Sequence, residues 1–279
     1  MGKFDGKQIT GLVGDLVFKK SADGKTTIVQ TKQKHVPQTE GSKKTASVMG
    51  NASSLSAAIR ADLHGLTDAF YQGEMINRLT KSNQAILSHC FDKNTETYTF
   101  KQNSFENLAG FELNSKSPLS TYLWVKPQLT LEGNILTLTI PAFEVPDQLK
   151  MPKEANAFEI VVRMGEYALH SSKRNTKKIH SESIAPEETH VPEQQISFQV
   201  AHGCLCVVGI AIKYFNLAQG TKKPLNHKDM NPAAIVDAIY IPGEFVLPPT
   251  GSTPNRAIGS SWREMMKVNL PPAQIKIPD

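Results

Sequence analysis

His202-Gly203-Cys204-Leu205-Cys206 is the densest group of potential metal ligands in this 279-residue sequence. On a β-strand, positions 202, 204 and 206 face one side, so three donors suited to zinc would converge. The same parity continues the apolar series Ile196, Phe198, Val200, which points the cysteines into a core. There a thiol behaves as a small hydrophobe. No second Cys-x-x-Cys or His-x-His accompanies the group, and His89-Cys90 could join it only through the fold. The expectation is that His202, Cys204 and Cys206 belong to a core strand and that no metal is bound.

Gly24-Lys25-Thr26 reproduces the end of a phosphate-binding loop. That motif needs a glycine five positions before Gly24, where Lys19 stands, and a strand-to-helix junction whose N–H groups cradle phosphate. The flanks here read as two strands, so a plain turn is expected. Gly-x-Ser-x-Gly, His-Glu-x-x-His and Gly-x-Gly-x-x-Gly are all missing from the sequence. The eight histidines are scattered, and His35, His170, His180, His190 and His227 fall in polar connecting segments. No cofactor and no small-molecule ligand is implied. An enzyme would need a site assembled from loops, and this ranks third among the functional readings.

Charge is the clearest compositional signal. Residues 1–50 hold nine lysines against four acids, whereas the rest of the chain holds 22 basic and 22 acidic residues. The whole net charge of +5 therefore resides in the first fifth of the chain. Lys19, Lys20, Lys25, Lys32, Lys34, Lys43 and Lys44 could track a phosphate backbone, each contact adding salt-dependent affinity. Against this, no arginine precedes Arg60, and the only aromatics there are Phe4 and Phe18. Neither base reading nor a stacking platform is evident. Lysines on edge strands also keep sheets from pairing with one another.

The elements that position these residues can be read from periodicity. Ile9–Lys20 and Lys25–Lys32 are β-type runs around Ser21-Ala22-Asp23-Gly24, and Asp-Gly is a strong hairpin signal. Gln33–Lys44 reads as an exposed extended connection. Val48, Ala52, Leu55, Ile59, Leu63, Leu66 and Phe70 then recur at helical spacing as one apolar stripe. Gly73 separates this helix from a second one carrying Met75, Leu79, Ile86 and Cys90. Together they predict a helical hairpin.

Sixteen of the seventeen prolines lie at or beyond Pro118, which marks a change of architecture near residues 95–117 because proline is excluded from helix interiors. Beyond it the apolar period becomes two. A hairpin is expected at Glu132-Gly133-Asn134, and alternating strands near Phe158–Met164 and Ile196–Val200. Cys204–Ile212 suits a central strand buried on both faces, and Ala234–Ile241 another strand. Ser171–His180, with Lys173, Arg174, Lys177 and Lys178, reads as a long solvated connection. Met265–Asp279, with Pro271, Pro272 and Pro278, reads as an extended arm.

The front end resembles a family of uncharacterised bacterial proteins. It carries Gly11-Leu12-Val13-Gly14-Asp15-Leu16-Val17-Phe18, a Gly-x-x-Gly-[Asn/Asp]-x-x-Phe hairpin. A Gly-Lys turn follows, then a basic connection with Gln38-Thr39, and an Ala/Ser-rich helix through Arg60. The resemblance covers about the first 90 residues, and Gln30-Thr31-Lys32 stands where an arginine is expected. It implies no activity and favours a recurring assembly or interaction protein.

The expected fold class is α+β: an N-terminal β-hairpin and helical hairpin (1–95), then an antiparallel β-sandwich-like domain with an extended C-terminal arm (96–279). The expected function is that of a non-catalytic structural or interaction protein, self-associating or docking on another protein through the N-terminal module. Nucleic-acid binding through the lysines is the alternative. No apolar run approaches the roughly 18 residues that span a bilayer, and the N-terminus lacks the apolar segment of a secretory signal. Three cysteines do not make a disulfide framework. A cytoplasmic location without membrane contact is the expectation.

Overall fold

The computed structural model describes residues 2–21, 24–32, 39–68, 70, 73–184, 189–218, 221–247, 262–265 and 267–272. Strands dominate, paired antiparallel in every sheet, with three α-helices among the described residues. By contact density the chain divides into two units, Met1–Thr45 and Ala46–Asp279. The change in composition suggests a boundary at 95/96; the division in contacts falls at 45/46.

In the first unit, β1 (Lys3–Phe4), β2 (Ile9–Val13), β3 (Leu16–Lys20) and β4 (Thr27–Thr31) form a four-stranded sheet in sequential order. The run Ile9–Lys20 is thus two strands and not one. Val13 pairs with Leu16 across a two-residue turn, and Gly14 opens that turn at φ 58°. A side chain there would be strained, which is why the chain reverses at this glycine. The next hairpin closes as expected: Ser21 N donates to Thr26 O at 3.0 Å, and Gly24 holds φ 68°.

The connection expected over Gln33–Lys44 is also corrected for its described residues. Helix α1 (Glu40–Asp62) already begins at Glu40. Thr39 Oγ1 accepts from Ser42 N at 3.2 Å and so satisfies a donor that the first helical turn leaves open.

Helix α1 crosses the 45/46 division and has most of its length in the second unit, where α2 (His64–Thr67) and α3 (Glu74–Cys90) follow it. Val48, Ala52, Leu55, Ile59, Leu63 and Leu66 are all buried, as the stripe requires. The helix nonetheless breaks at Leu63, and Phe70 lies beyond it, only half-buried. Two contacts flank the break. The Asp62 carboxylate is committed to groups on a strand, as shown below. Gly65 is approached so closely by the Arg163 guanidinium that a Cβ there would lie 2.0 Å from it. On α3, Met75, Leu79 and Ile86 are buried, and Asn83 Nδ2 donates to Ser56 Oγ of α1 at 2.8 Å.

The remaining strands are β5 (Phe91–Asp92), β6 (Thr97–Tyr98), β7 (Gln128–Glu132), β8 (Ile135–Ile140), β9 (Phe143–Glu144), β10 (Ala157–Ala168), β11 (Lys173–Ile184), β12 (His190–Val191), β13 (Gln194–Gln199), β14 (Cys204–Ala218), β15 (Thr221–Pro224), β16 (Ala233–Ile241) and β17 (Arg263–Glu264). In the main sheet β14 is central: β10 pairs along one edge, and β16 and β15 along the other. Next come β11, on the far edge of β10, and β17. A smaller sheet runs β13-β8-β7.

Alternation along β14 sorts its side chains into two cores. Leu205, Val207 and Ala211 join a cluster with Leu55, Ile59, Leu63, Leu66, Leu79 and Leu87 of the helices. Cys206, Val208, Ile210 and Ile212 join the other, with Leu136, Leu138 and Ile140 of β8. This explains why Cys204–Ile212 is almost continuously apolar.

The solvated connection expected over Ser171–His180 is corrected. Lys173–Ile184 is a strand paired with β10 across most of its length. Its lysine-rich sequence hides a strand because main-chain pairing to a buried neighbour, and not apolar alternation, holds it. The arm expected to be extended instead turns at Lys267, which holds φ 61°, before running on through residues 268–272; 266 and 273–279 lie outside the described residues.

Candidate interaction surface

Among the described residues of the first unit, none is buried. Residues paired directly across antiparallel strands share a face. Val13 faces Leu16, and Phe18 faces both Gly11 and Val29, so Val13, Leu16, Phe18 and Val29 line one side of the sheet. Val13 is 47% exposed, Leu16 41% and Val29 51%. Phe4, opposite Ile9 on β1–β2, is 69% exposed. The other side mixes Leu12, Val17 and Ile28 with Lys19 and Gln30. A sheet normally places one face on a core, and a 45-residue unit is too small to build one unaided.

The lysines named from sequence do not form one track. Lys19 and Lys20 are neighbours on β3 and so point to opposite faces, and Lys20 Nζ pairs with Asp5 Oδ2 at 2.6 Å. Lys25 lies in the hairpin turn, its carbonyl accepting from Gln8 Nε2 at 3.0 Å. Lys32 N donates to Asp15 O. Lys43 and Lys44 sit on α1, where Lys43 pairs with Glu40 at 2.9 Å. Lys34 lies outside the described residues. The Lys20 ammonium, followed by the Gln8 and Lys7 amides, holds the Asp5 carboxyl well below the usual range. The turn at Gly24-Lys25-Thr26 joins two strands, and Thr26 Oγ1 is hydrogen-bonded to Ser21 Oγ at 2.8 Å.

The His202, Cys204, Cys206 group is split by the fold. Both thiols are fully buried, while His202 is exposed with Nδ1 3.1 Å from Pro242 O. Among the described residues, no three His, Cys, Asp or Glu side chains are placed to hold a metal.

Two buried polar groups were not singled out from sequence. Asp62 Oδ1 accepts from Arg174 Nη1 and from Thr176 Oγ1, both at 2.5 Å. Beside it, burial first and then the Asp62 carboxylate push the Tyr167 phenol well above its ordinary range, so it stays protonated. Lys213, 8% exposed, donates to Leu66 O at 2.7 Å, Asp68 Oδ2 at 2.6 Å and Asn231 Oδ1 at 3.4 Å. All three ammonium donors are thereby engaged, so the lysine pins the end of α2 to β14 and is not poised for chemistry. Its one signal in the sequence is its place at the end of the apolar run. Asp62 had none, because its partners lie more than a hundred residues away.

No helix among the described residues is long and apolar enough to cross a membrane. Comparison of the chain with protein-family models, curated proteins and solved structures finds no match.

Proposed function

We propose that this is a non-catalytic interaction protein that docks through the four-stranded sheet of its first unit. The observation that carries the reading is the exposed face of Val13, Leu16, Phe18 and Val29 on a sheet with no buried residue. Each such side chain, if fully covered, contributes about 1.5–3 kcal/mol. The occupant is another protein whose apolar contact surface is rimmed by carboxylates. Residues 1–45 carry nine lysines against four acids, so two copies brought together would repel while an acidic rim is attracted. The second unit acts as scaffold. Its main sheet, covered on both faces, supports the finer description of that region as sandwich-like. Neutral, reducing surroundings such as the cytoplasm suit its buried thiols.

Light scattering and binding of the dye ANS test this on the full chain and on Val13→Ser/Val29→Ser. The expected result is a monomer at about 0.15 M salt, where surface charge is only partly screened. Dye fluorescence should fall in the variant while its main unfolding transition is unchanged. Unaltered fluorescence would remove the apolar face as the docking element. A dimer dissolved by the double substitution would replace the acidic partner with a second copy. Salt-sensitive binding of DNA or RNA by both proteins alike would favour the lysines instead.

A further inference from the structure

Beyond a turn at Lys267, where φ is 61°, the C-terminal arm lies in the second unit as a peptide lies in a receptor groove. Burial alternates from that turn on: Val268 and Leu270 are buried, and Lys267, Asn269 and Pro271 exposed, while Met265, before it, is also buried. Its main chain is bound from elements remote in sequence. Met265 N donates to Ser172 O at 2.7 Å, and Ser172 Oγ donates to Val268 O at 2.5 Å. The Asn51 amide of α1 grips Asn269 twice, accepting from its N–H and donating to its carbonyl, each at 2.8 Å. His170 Nδ1 lies 2.6 Å from Leu270 O, and Tyr98 N donates to Pro271 O at 2.9 Å. Three side chains thus read a backbone, while two apolar anchors two positions apart enter the helix-side core. This is how extended peptides are recognised: hydrogen bonds to the main chain supply affinity, and pockets for alternate side chains supply selectivity.

An arm that belongs to the same chain meets the groove at a high effective concentration, so a separate peptide must compete with it.

We propose that this groove is a peptide-binding site, occupied in the isolated chain by its own residues 265–272. It accepts an extended segment of another protein with two apolar residues two positions apart followed by proline, the pattern of Val268-Asn269-Leu270-Pro271. The proposal is independent of docking by the first unit and uses none of its residues.

The test begins with the full chain, folded with a protease site placed within residues 248–261 and then cut. A labelled synthetic peptide of residues 262–279 is added and its uptake followed. The expected result is saturable replacement of the cut arm, with uptake by uncut chain at least about tenfold weaker because the tethered arm competes. The same peptide carrying Leu270→Asp should not enter, and Asn51→Leu in the receptor should weaken uptake by a similar factor. Cut chain that stays folded yet takes up no peptide would overturn the proposal. So would cut chain that unfolds as the arm leaves, since the arm would then be core. Dimers formed by arm exchange between uncut chains would assign the groove to a second copy and overturn the external occupant.

Discussion

Strand β3 in the first unit and strand β14 in the second are both apolar-rich and both lie between antiparallel neighbours. On β14 each face meets a core, helices on one side and the β8 sheet on the other, and its first eleven residues are all buried. On β3, Leu16 is 41% exposed and no residue is buried. Pairing satisfies the main chain equally in the two sheets, so the hydrogen-bonded ladder does not distinguish them. The difference lies in what covers the side chains, and it separates a strand that stabilises a fold from a strand that offers a surface.

Truncation inside the two sheets should widen this contrast most. Ile210→Ala or Leu138→Ala should cost about 2–5 kcal/mol in urea denaturation, because each opens a cavity in a closed core. Val13→Ala or Val29→Ala should shift the same transition by less than about 0.5 kcal/mol. Equal costs would erase the distinction. Next in size is Asp62→Ala, which leaves Arg174 and Thr176 without their acceptor. A loss of about 2–3 kcal/mol is expected, set by charge-assisted hydrogen bonds around a partly exposed arginine. No change in the denaturation midpoint would mean the pair contributes nothing to the second unit.

Gly14→Val should be felt only in the first unit, since a left-handed conformation costs a branched residue about 1–2 kcal/mol. Amide exchange should quicken in β2 and β3 and not in β14. The smallest effect is the Asp5–Lys20 link. A carboxyl held below its unfolded value of about 3.9 contributes stability above that pH and loses it as pH falls through the folded value. Titration of Asp5 by NMR should show the depressed value, and Lys20→Ala should return it toward the ordinary one.

Where packing follows local periodicity, the sequence is a sufficient guide. The stripe from Val48 to Leu66, the hairpins at Gly24 and Gly133 and the buried strand from Cys204 were all legible. Reading failed where tertiary partners decide. Lys173–Ile184 carries four positive charges in its first six residues, yet it is a strand because β10 offers an edge. The helix breaks at Leu63 while the apolar stripe runs on to Leu66, and strand groups hold Asp62 at the break. Of the candidate surface, the lysine excess was visible early, but the alignment of Val13, Leu16, Phe18 and Val29 was not. It depends on the reversal at Gly14, which turns one apparent strand into two and brings their apolar residues to one face.

Val29 and Gln30 are adjacent on β4 and point to opposite sides of the sheet, so a photo-crosslinking amino acid at each, used in living cells, reports on the two faces separately. Position 29 is expected to yield an adduct with one acidic protein, and position 30 little of it. Equal adducts from both positions, or adducts only to further copies of this chain, would contradict it.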